Sequence, residues 1–104
     1  MGKYKVSFLP DAENDLDEIL QWYNFKNPSK VQDFLNEIDK HYQNLQDYPN
    51  MFPDDFLFVK KAIFRKFPYK ICFVTDDIDF EVVIIGVLHQ KRDGRILRQR
   101  INFE

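Results

Sequence analysis

The stretch YKICFVTDDIDFEVVIIGVL, residues 69–88, decides the fold of this 104-residue chain. Both of its ends are rich in β-branched and aromatic residues, which favour strands, and the TDDID between them is rich in turn-favouring aspartate. The sequence therefore predicts an antiparallel hairpin. Residues 82–88 are almost continuously apolar, interrupted only by Gly86, so the second strand of the hairpin is expected to be central, with both faces covered.

Two further strands are indicated outside this hairpin. FLFVKKAIF, residues 56–64, reads as one strand and completes a three-stranded antiparallel run. Near the N-terminus, Tyr4, Val6 and Phe8 alternate with polar residues, which is the period of a half-buried strand.

Two amphipathic helices lie between the first strand and the run. Pro10 suits the first turn of helix one, and Asn27 followed by Pro28 is expected to cap and begin helix two. So short a break predicts an antiparallel helical hairpin. The apolar stripes that would face the sheet are Ala12, Leu16, Ile19, Leu20 and Tyr23 on helix one, and Val31, Phe34, Leu35, Ile38, Tyr42 and Leu45 on helix two. The predicted fold is α+β, a single two-layer helix-on-sheet domain spanning residues 1–104.

Composition excludes several classes of protein. The chain is 44% apolar and 16% aromatic, which is incompatible with disorder. Its single cysteine cannot form an internal disulfide, and MGKYK, residues 1–5, has no apolar run of the signal-peptide kind. No stretch approaches the roughly 20 apolar residues of a membrane span. The expectation is a soluble cytoplasmic protein without a membrane partner.

Charge is distributed unevenly along the chain. Residues 1–55 carry five lysines against eleven acidic residues, whereas residues 56–104 carry ten basic residues against six acidic ones. The segment HQKRDGRILRQR, residues 89–100, contains five basic residues and one acid. A local basic surface on a mildly acidic protein is therefore predicted, with a solvated charged tail as the alternative.

The sequence lacks the residue spacings that metal-binding and nucleotide-binding sites require. His41, His89 and Cys72 have none of the paired spacings of zinc sites, and the isolated glycines form no phosphate-binding loop, so neither a metal nor a cofactor is expected. The acidic pair Asp15 and Glu18 is expected to be solvated beside the apolar stripe of helix one. Cys72, within a strand, is expected to be a buried, inert thiol.

The remaining candidate site combines two separated basic segments. If strands 69–76 and 80–88 pair antiparallel, Tyr69 and His89 lie at the same edge of the sheet. This edge could hold a phosphodiester, with His89 exchanging a proton, or bind an acidic protein segment through arginine, or its cations could simply be hydrated. The residues gathered at this edge would be Arg65, Lys66, Tyr69, Lys70, His89, Lys91, Arg92, Arg95, Arg98 and Arg100.

Three segments carry a resemblance to a known family. The segments are FPYKICFV at residues 67–74, VVIIGVLHQKRD at residues 82–93 and the opening SFLPDAENDLDEI at residues 7–19. Together they resemble the ParE branch of the RelE/ParE toxin superfamily. The resemblance covers nearly the whole chain. It implies a helical hairpin against a curved antiparallel sheet, and a bacterial toxin that a cognate antitoxin wraps and neutralises.

The superfamily acts on two targets, and the resemblance favours one of them. ParE-like members poison DNA gyrase without known catalytic residues, and this sequence matches their pattern at Phe67, Pro68, Tyr69, His89, Arg92, Asp93 and Arg100. Leu97 and Gly94 depart from it, where tryptophan and proline are frequent. The resemblance therefore implies a gyrase inhibitor that acts by protein binding.

RelE-like members instead cleave messenger RNA on the ribosome, and this alternative stays open, as does the question whether the protein is an enzyme. Lys70 stands where those toxins have arginine, whereas Gln90 and Ile96 replace a functional arginine and tyrosine. The catalytic candidates under this alternative are Arg65, Lys70, His89 and Arg92. A third hypothesis is a non-toxic relative that retains only antitoxin binding.

An antitoxin partner implies a hetero-oligomer. Its binding segment is expected to be acidic near the C-terminus and to use apolar anchors, because the basic edge is accompanied by aromatic residues near the helical break, Trp22 and Phe25. The residues expected to bind the target or the antitoxin are Tyr69, His89, Lys91, Arg92, Arg95, Arg98, Arg100 and Trp22.

Overall fold

The computed structural model describes residues 2–101 and contains one five-stranded sheet with two helices packed on one face. The strands lie in the order β1-β5-β4-β3-β2, with β1 parallel to β5 and the other neighbours antiparallel. The predicted α+β class is confirmed. The elements are β1 (Lys5–Phe8), α1 (Pro10–Lys26), α2 (Val31–Asp47), β2 (Asp54–Phe56), β3 (Val59–Ile63), β4 (Tyr69–Asp76) and β5 (Glu81–His89).

The strand predicted over residues 56–64 is wrong in one respect. A two-residue turn, Leu57 and Phe58, divides it, so that Phe56 pairs with Val59 across a β2–β3 hairpin. Neither turn residue is Gly, Asn, Asp or Pro, the residues whose local conformations favour turns. The sequence therefore carries no ordinary signal for this hairpin, and the antiparallel run has four strands rather than three.

The helical hairpin forms, but its connection differs from the expected one. Residues Pro28–Lys30 are a 3-10 turn, α2 begins at Val31, and the Asn27 side chain makes no capping hydrogen bond to the helix. At the far end of α2, the Gln46 carbonyl accepts the N–H groups of Lys3 and Tyr4 beside β1. The chain thus returns to its starting end, as an antiparallel hairpin requires.

Both faces of β5 are covered, as its apolar sequence predicts. On one face, Val82, Ile84 and Val87 join the helices in the larger core. On the other face, Ile85 and Leu88 pack with residues of a smaller core that a C-terminal 3-10 helix, Gly94–Ile101, covers. The second face of the sheet is therefore buried by a segment for which the sequence indicated only a basic surface or a solvated charged tail.

Gly86 is required by the close approach of that 3-10 helix. A β-carbon at position 86 would lie 2.7 and 2.8 Å from the two terminal methyl carbons of Leu97. Cys72 pairs with Gly86 and Phe73 pairs with Ile84, so Ile85 is an extra residue in a β-bulge at the same place. The single glycine in the apolar run therefore marks where the C-terminal segment crosses β5.

Candidate functional site

The two residues on which the predicted site depends are neighbours. Tyr69, the first residue of β4, and His89, the last of β5, are directly paired in the antiparallel register. Their rings lie 5.9 Å apart in an edge-to-face arrangement, which is a favourable aromatic geometry. The prediction that these two chain segments meet at one edge is confirmed. We call this end of the sheet the rim, comprising residues 64–69 and 89–93.

Glu37 of α2 holds one side of the loop between β3 and β4. Its carboxylate accepts the backbone N–H groups of Arg65 and Lys66, the latter at 3.2 Å. The two basic side chains on this loop are exposed, while the backbone beneath them is tied to the helix. The loop therefore presents its charges from a fixed backbone.

Gln90 holds the other side of the same loop. Its backbone N–H donates to the Pro68 carbonyl at 2.8 Å, and its side-chain amide lies 3.2–3.3 Å from the carbonyls of Phe64, Phe67 and Tyr69. A neutral side chain that donates hydrogen bonds is suited to this position, where an arginine would introduce a charge. Sequence reasoning noted Gln90 only as a missing cation, because its partners lie more than 20 residues away.

The turn after β5 adds exposed cations to the rim. His89 Nδ1 accepts the Lys91 N–H at 3.2 Å, and its carbonyl accepts the Arg92 N–H at 3.0 Å. The side chains of Lys91 and Arg92 are exposed. With Arg65 and Lys66 they make the rim a positively charged surface around the pair Tyr69 and His89.

Lys70 does not belong to this exposed surface, contrary to expectation. Because side chains alternate along a strand, Lys70 points to the face opposite Tyr69. It is 5% exposed, and its ammonium lies 3.0 Å from Asp55 Oδ2, with Lys61 3.8 Å from the other carboxylate oxygen. The charge of Lys70 is thus neutralised inside the protein.

The three arginines of the C-terminal 3-10 helix have different environments. Arg95 forms an exposed pair with Asp93, at 2.7 Å, and Asp93 has a pKa lowered to about 2 by hydrogen bonds from Arg95. Arg100 lies against the middle of β5, where it pairs with Asp15 at 2.7 Å, so it is separated from the rim. Because Asp15 forms this pair with Arg100, the expectation that Asp15 is a solvated acid is wrong. Arg98, in contrast, has no ion pair within residues 2–101.

The aromatic residues near the helical break are exposed, as expected. Trp22 is 53% exposed and Phe25 is 80% exposed, with the Lys26 ammonium 5.2 Å from the centre of the Phe25 ring. Large apolar side chains in solvent are characteristic of protein-binding surfaces. Their role in binding stays a prediction.

Comparison with known proteins identifies the family. Residues 6–94 match the family model described as the ParE toxin of the type II toxin-antitoxin system, parDE. The chain belongs to this ParE toxin family. Its resemblance to the RelE/ParE superfamily, stated from the sequence, is confirmed, and the protein is a toxin of the ParE type.

Two solved structures share the fold of this ParE-family chain. A chromosomal ParDE toxin-antitoxin system from P. aeruginosa is 20% identical, with a TM-score of 0.70, over 84% of this chain and 96% of that chain. The toxin-antitoxin complex RelBE2 from Mycobacterium tuberculosis is 21% identical, with a TM-score of 0.59, over 84% of this chain and 98% of that chain. No curated protein matches the sequence significantly.

The part of the ParE-family chain that the structure describes shows neither a cluster of metal-binding side chains nor a membrane-spanning helix. Among residues 2–101, no three histidine, cysteine, aspartate or glutamate side chains lie together as a metal site requires. In the same range no helix combines the length and the apolarity needed to cross a bilayer.

We predict that Cys72 is unreactive in the folded toxin. The thiol is fully buried, and burial, together with the nearby Asp55 carboxylate, raises its pKa to about 12. Since only the thiolate reacts, native protein at pH 7.5 should react with an aromatic disulfide reagent at least about 100-fold more slowly than free cysteine. Unfolding in guanidinium should restore ordinary reactivity. Fast labelling of the native protein would show that the thiol is accessible.

We also predict that His41 makes stability sensitive to mild acid. The ring is 7% exposed and packs on Phe64. Within residues 2–101 neither ring nitrogen has a hydrogen-bond partner, although Nε2 lies 3.5 Å from a Glu37 carboxylate oxygen. Burial lowers the pKa of His41 below its ordinary 6.5, and the Glu37 charge offsets only part of this effect. Below pH 6.5 the unfolded chain therefore binds the proton more readily than the folded chain, so acid favours unfolding.

The free energy of unfolding should accordingly fall as the pH drops from 6.5 to 5.5, by less than about 1.4 kcal/mol per pH unit, the limit for one proton. Urea titrations at each pH measure this slope. His41→Gln should flatten it. Equal slopes in this variant and in the unchanged protein would contradict the assignment to His41.

Proposed function

We propose that this ParE-family toxin inhibits DNA gyrase by binding the enzyme, and that a cognate antitoxin neutralises it in a cytoplasmic hetero-oligomeric complex. The observation that carries the proposal is the rim itself. Tyr69 and His89 are in contact there, and the exposed cations Lys91 and Arg92 follow directly. Such a surface attracts an acidic region of a protein and fixes its orientation.

Two features support binding rather than catalysis. A ribonuclease centre needs cations around the scissile phosphate, but Lys70, one of the four candidates, is buried against Asp55. In addition, Glu37 and Gln90 fix the backbone of the rim loop, which reduces the entropy lost when a partner binds. A rigid, positively charged surface is suited to protein recognition.

Gyrase supercoiling of relaxed plasmid, with purified toxin added, tests the proposal. Micromolar toxin should reduce supercoiling, and equimolar antitoxin should restore it. Unchanged supercoiling at micromolar excess would remove the gyrase target. The same preparation should be added to a translation reaction, in which mapped new ends in the message would instead support the ribosome-dependent endoribonuclease with Arg65, His89 and Arg92 in the site.

The complex with the antitoxin should depend on salt. Acidic antitoxin residues meeting the cations of the toxin would lose attraction as ionic strength rises, and apolar anchors near Trp22 and Phe25 would not. If both high salt and alanine substitutions at Arg92 and Arg98 leave the affinity unchanged, the electrostatic part of the proposal is wrong. Harmless expression of the toxin without any antitoxin would favour a non-toxic relative.

A further inference from the structure

The turn between β2 and β3 displays two large apolar side chains in solvent. Leu57 and Phe58 are 64% and 60% exposed, and Leu57 has φ of 48°. Positive φ is disfavoured for leucine because of its β-carbon, and two-residue hairpin turns ordinarily use glycine or asparagine at such positions. Backbone strain and exposed apolar side chains therefore occur together in this turn, although the fold does not require these residues there.

These side chains form one wall of a surface cleft. The opposite wall is the end of the C-terminal 3-10 helix, and the cleft, of about 500 Å³, is lined by Leu57, Phe58, Arg98, Gln99 and Ile101. Arg98 is the arginine of this helix that has no ion pair within residues 2–101, unlike Arg95 and Arg100. The cleft thus combines an apolar wall with a guanidinium that pairs with no acid among the described residues.

We propose that this cleft binds a segment of the antitoxin that carries an apolar side chain next to a carboxylate. The apolar side chain would pack between Leu57 and Phe58 and the helix, and the carboxylate would pair with Arg98. This inference rests on the proposed function, because it assigns a binding site to the antitoxin proposed there.

The chemistry of the cleft favours a protein over a nucleic acid. A nucleic acid would require several cations along its backbone, whereas the lining residues include one cation and three apolar side chains. The 3-10 helix begins at Gly94, just after the rim, and its eight residues span about 16 Å. An acidic segment lying along it would therefore reach from the cleft to the cations of the rim and cover the surface proposed for gyrase.

Leu57→Asn separates a binding role from a structural one. Asparagine tolerates positive φ better than leucine, so the thermal midpoint should stay the same or rise. The affinity for the antitoxin should nevertheless fall at least tenfold, because one of the two side chains of the apolar wall becomes polar. Arg98→Gln should also weaken binding at least tenfold and reduce its salt dependence. The probe is the product of the reading frame adjacent to the one that encodes this chain, titrated calorimetrically into each toxin variant.

Ile78→Asn is the matched control, because Ile78 is 88% exposed in the β4–β5 turn and does not line the cleft. It should bind like the unchanged toxin. Wild-type affinity in both Leu57→Asn and Arg98→Gln would overturn this inference while leaving the proposed function intact. No binding by the unchanged toxin would overturn the antitoxin proposal itself. A dimer of the toxin alone that Leu57→Asn dissociates would assign the cleft to a second copy instead.

Discussion

Replacing Phe34 with alanine is expected to lower the free energy of unfolding by about 3–5 kcal/mol, the largest effect of any single change considered. The Phe34 side chain is completely buried where α2 meets the sheet. Its ring lies 5.1 Å from those of Phe64 and Phe67, and 6.0 Å from that of Tyr69. Alanine would leave a cavity among aromatic rings that cannot collapse together without moving the rim.

Urea unfolding of Phe34→Ala measures this loss, and Phe25→Ala is its matched control. Phe25 carries the same side chain in the same helical hairpin but is 80% exposed, so its truncation should change stability by less than about 0.5 kcal/mol. Similar losses in the two variants would contradict the packing described here. Because Tyr69 rests on Phe34, Phe34→Ala should also weaken every activity that depends on the rim.

Replacing Asp15 with alanine is expected to cost about 2–4 kcal/mol, because Asp15 and Arg100 together complete the edge of β5. β1 ends with Phe8 opposite Ile84, so beyond that point no strand among the described residues pairs with β5 on the side away from β4. There the Asp15 carboxylate accepts the Val87 N–H at 3.1 Å, and Arg100 Nη1 donates to the Ile85 carbonyl at 3.0 Å. The two side chains also pair with each other at 2.7 Å.

Asp15→Ala would leave the Val87 N–H without a partner and the half-buried Arg100 without its main counter-charge. Asp15→Asn retains an acceptor for the N–H group and removes only the charge, so its loss should be about half as large. Asp17→Ala, at an exposed position of the same helix, is the control and should be nearly neutral. Equal stability of Asp15→Ala and Asp17→Ala in guanidinium unfolding would show that the pair does not support the edge.

The sequence was sufficient to predict elements that depend on local pattern. The apolar run of residues 82–88 predicted a covered strand, and the aspartate-rich turn predicted the β4–β5 hairpin. That hairpin alone fixes Tyr69 opposite His89, which is why the meeting of these two residues was predictable. The apolar stripes of α1 and α2 likewise predicted which faces would be buried, including Phe34.

Contacts between distant residues were not predictable in the same way. Asp15 and Arg100 are 85 positions apart. Asp15 was expected in solvent and Arg100 at the basic edge, because nothing local indicates that the two side chains pair. The burial of Lys70 follows from strand alternation only once the C-terminal segment is known to cover the second face of the sheet. The Leu57–Phe58 turn was not predicted for a different reason, because two-residue hairpin turns disfavour leucine and phenylalanine.

The central claim is that the rim is the gyrase-binding surface, and the most direct test compares two double variants in the supercoiling assay. Lys91→Ala/Arg92→Ala removes exposed rim cations, whereas Lys3→Ala/Lys5→Ala removes two exposed cations at the opposite end of the sheet, beside Phe80 and Glu81. The account predicts that the rim variant needs at least tenfold more protein than the unchanged toxin to halve supercoiling, and that the control variant needs the same amount. Equal inhibition by the rim variant and the unchanged toxin would contradict it.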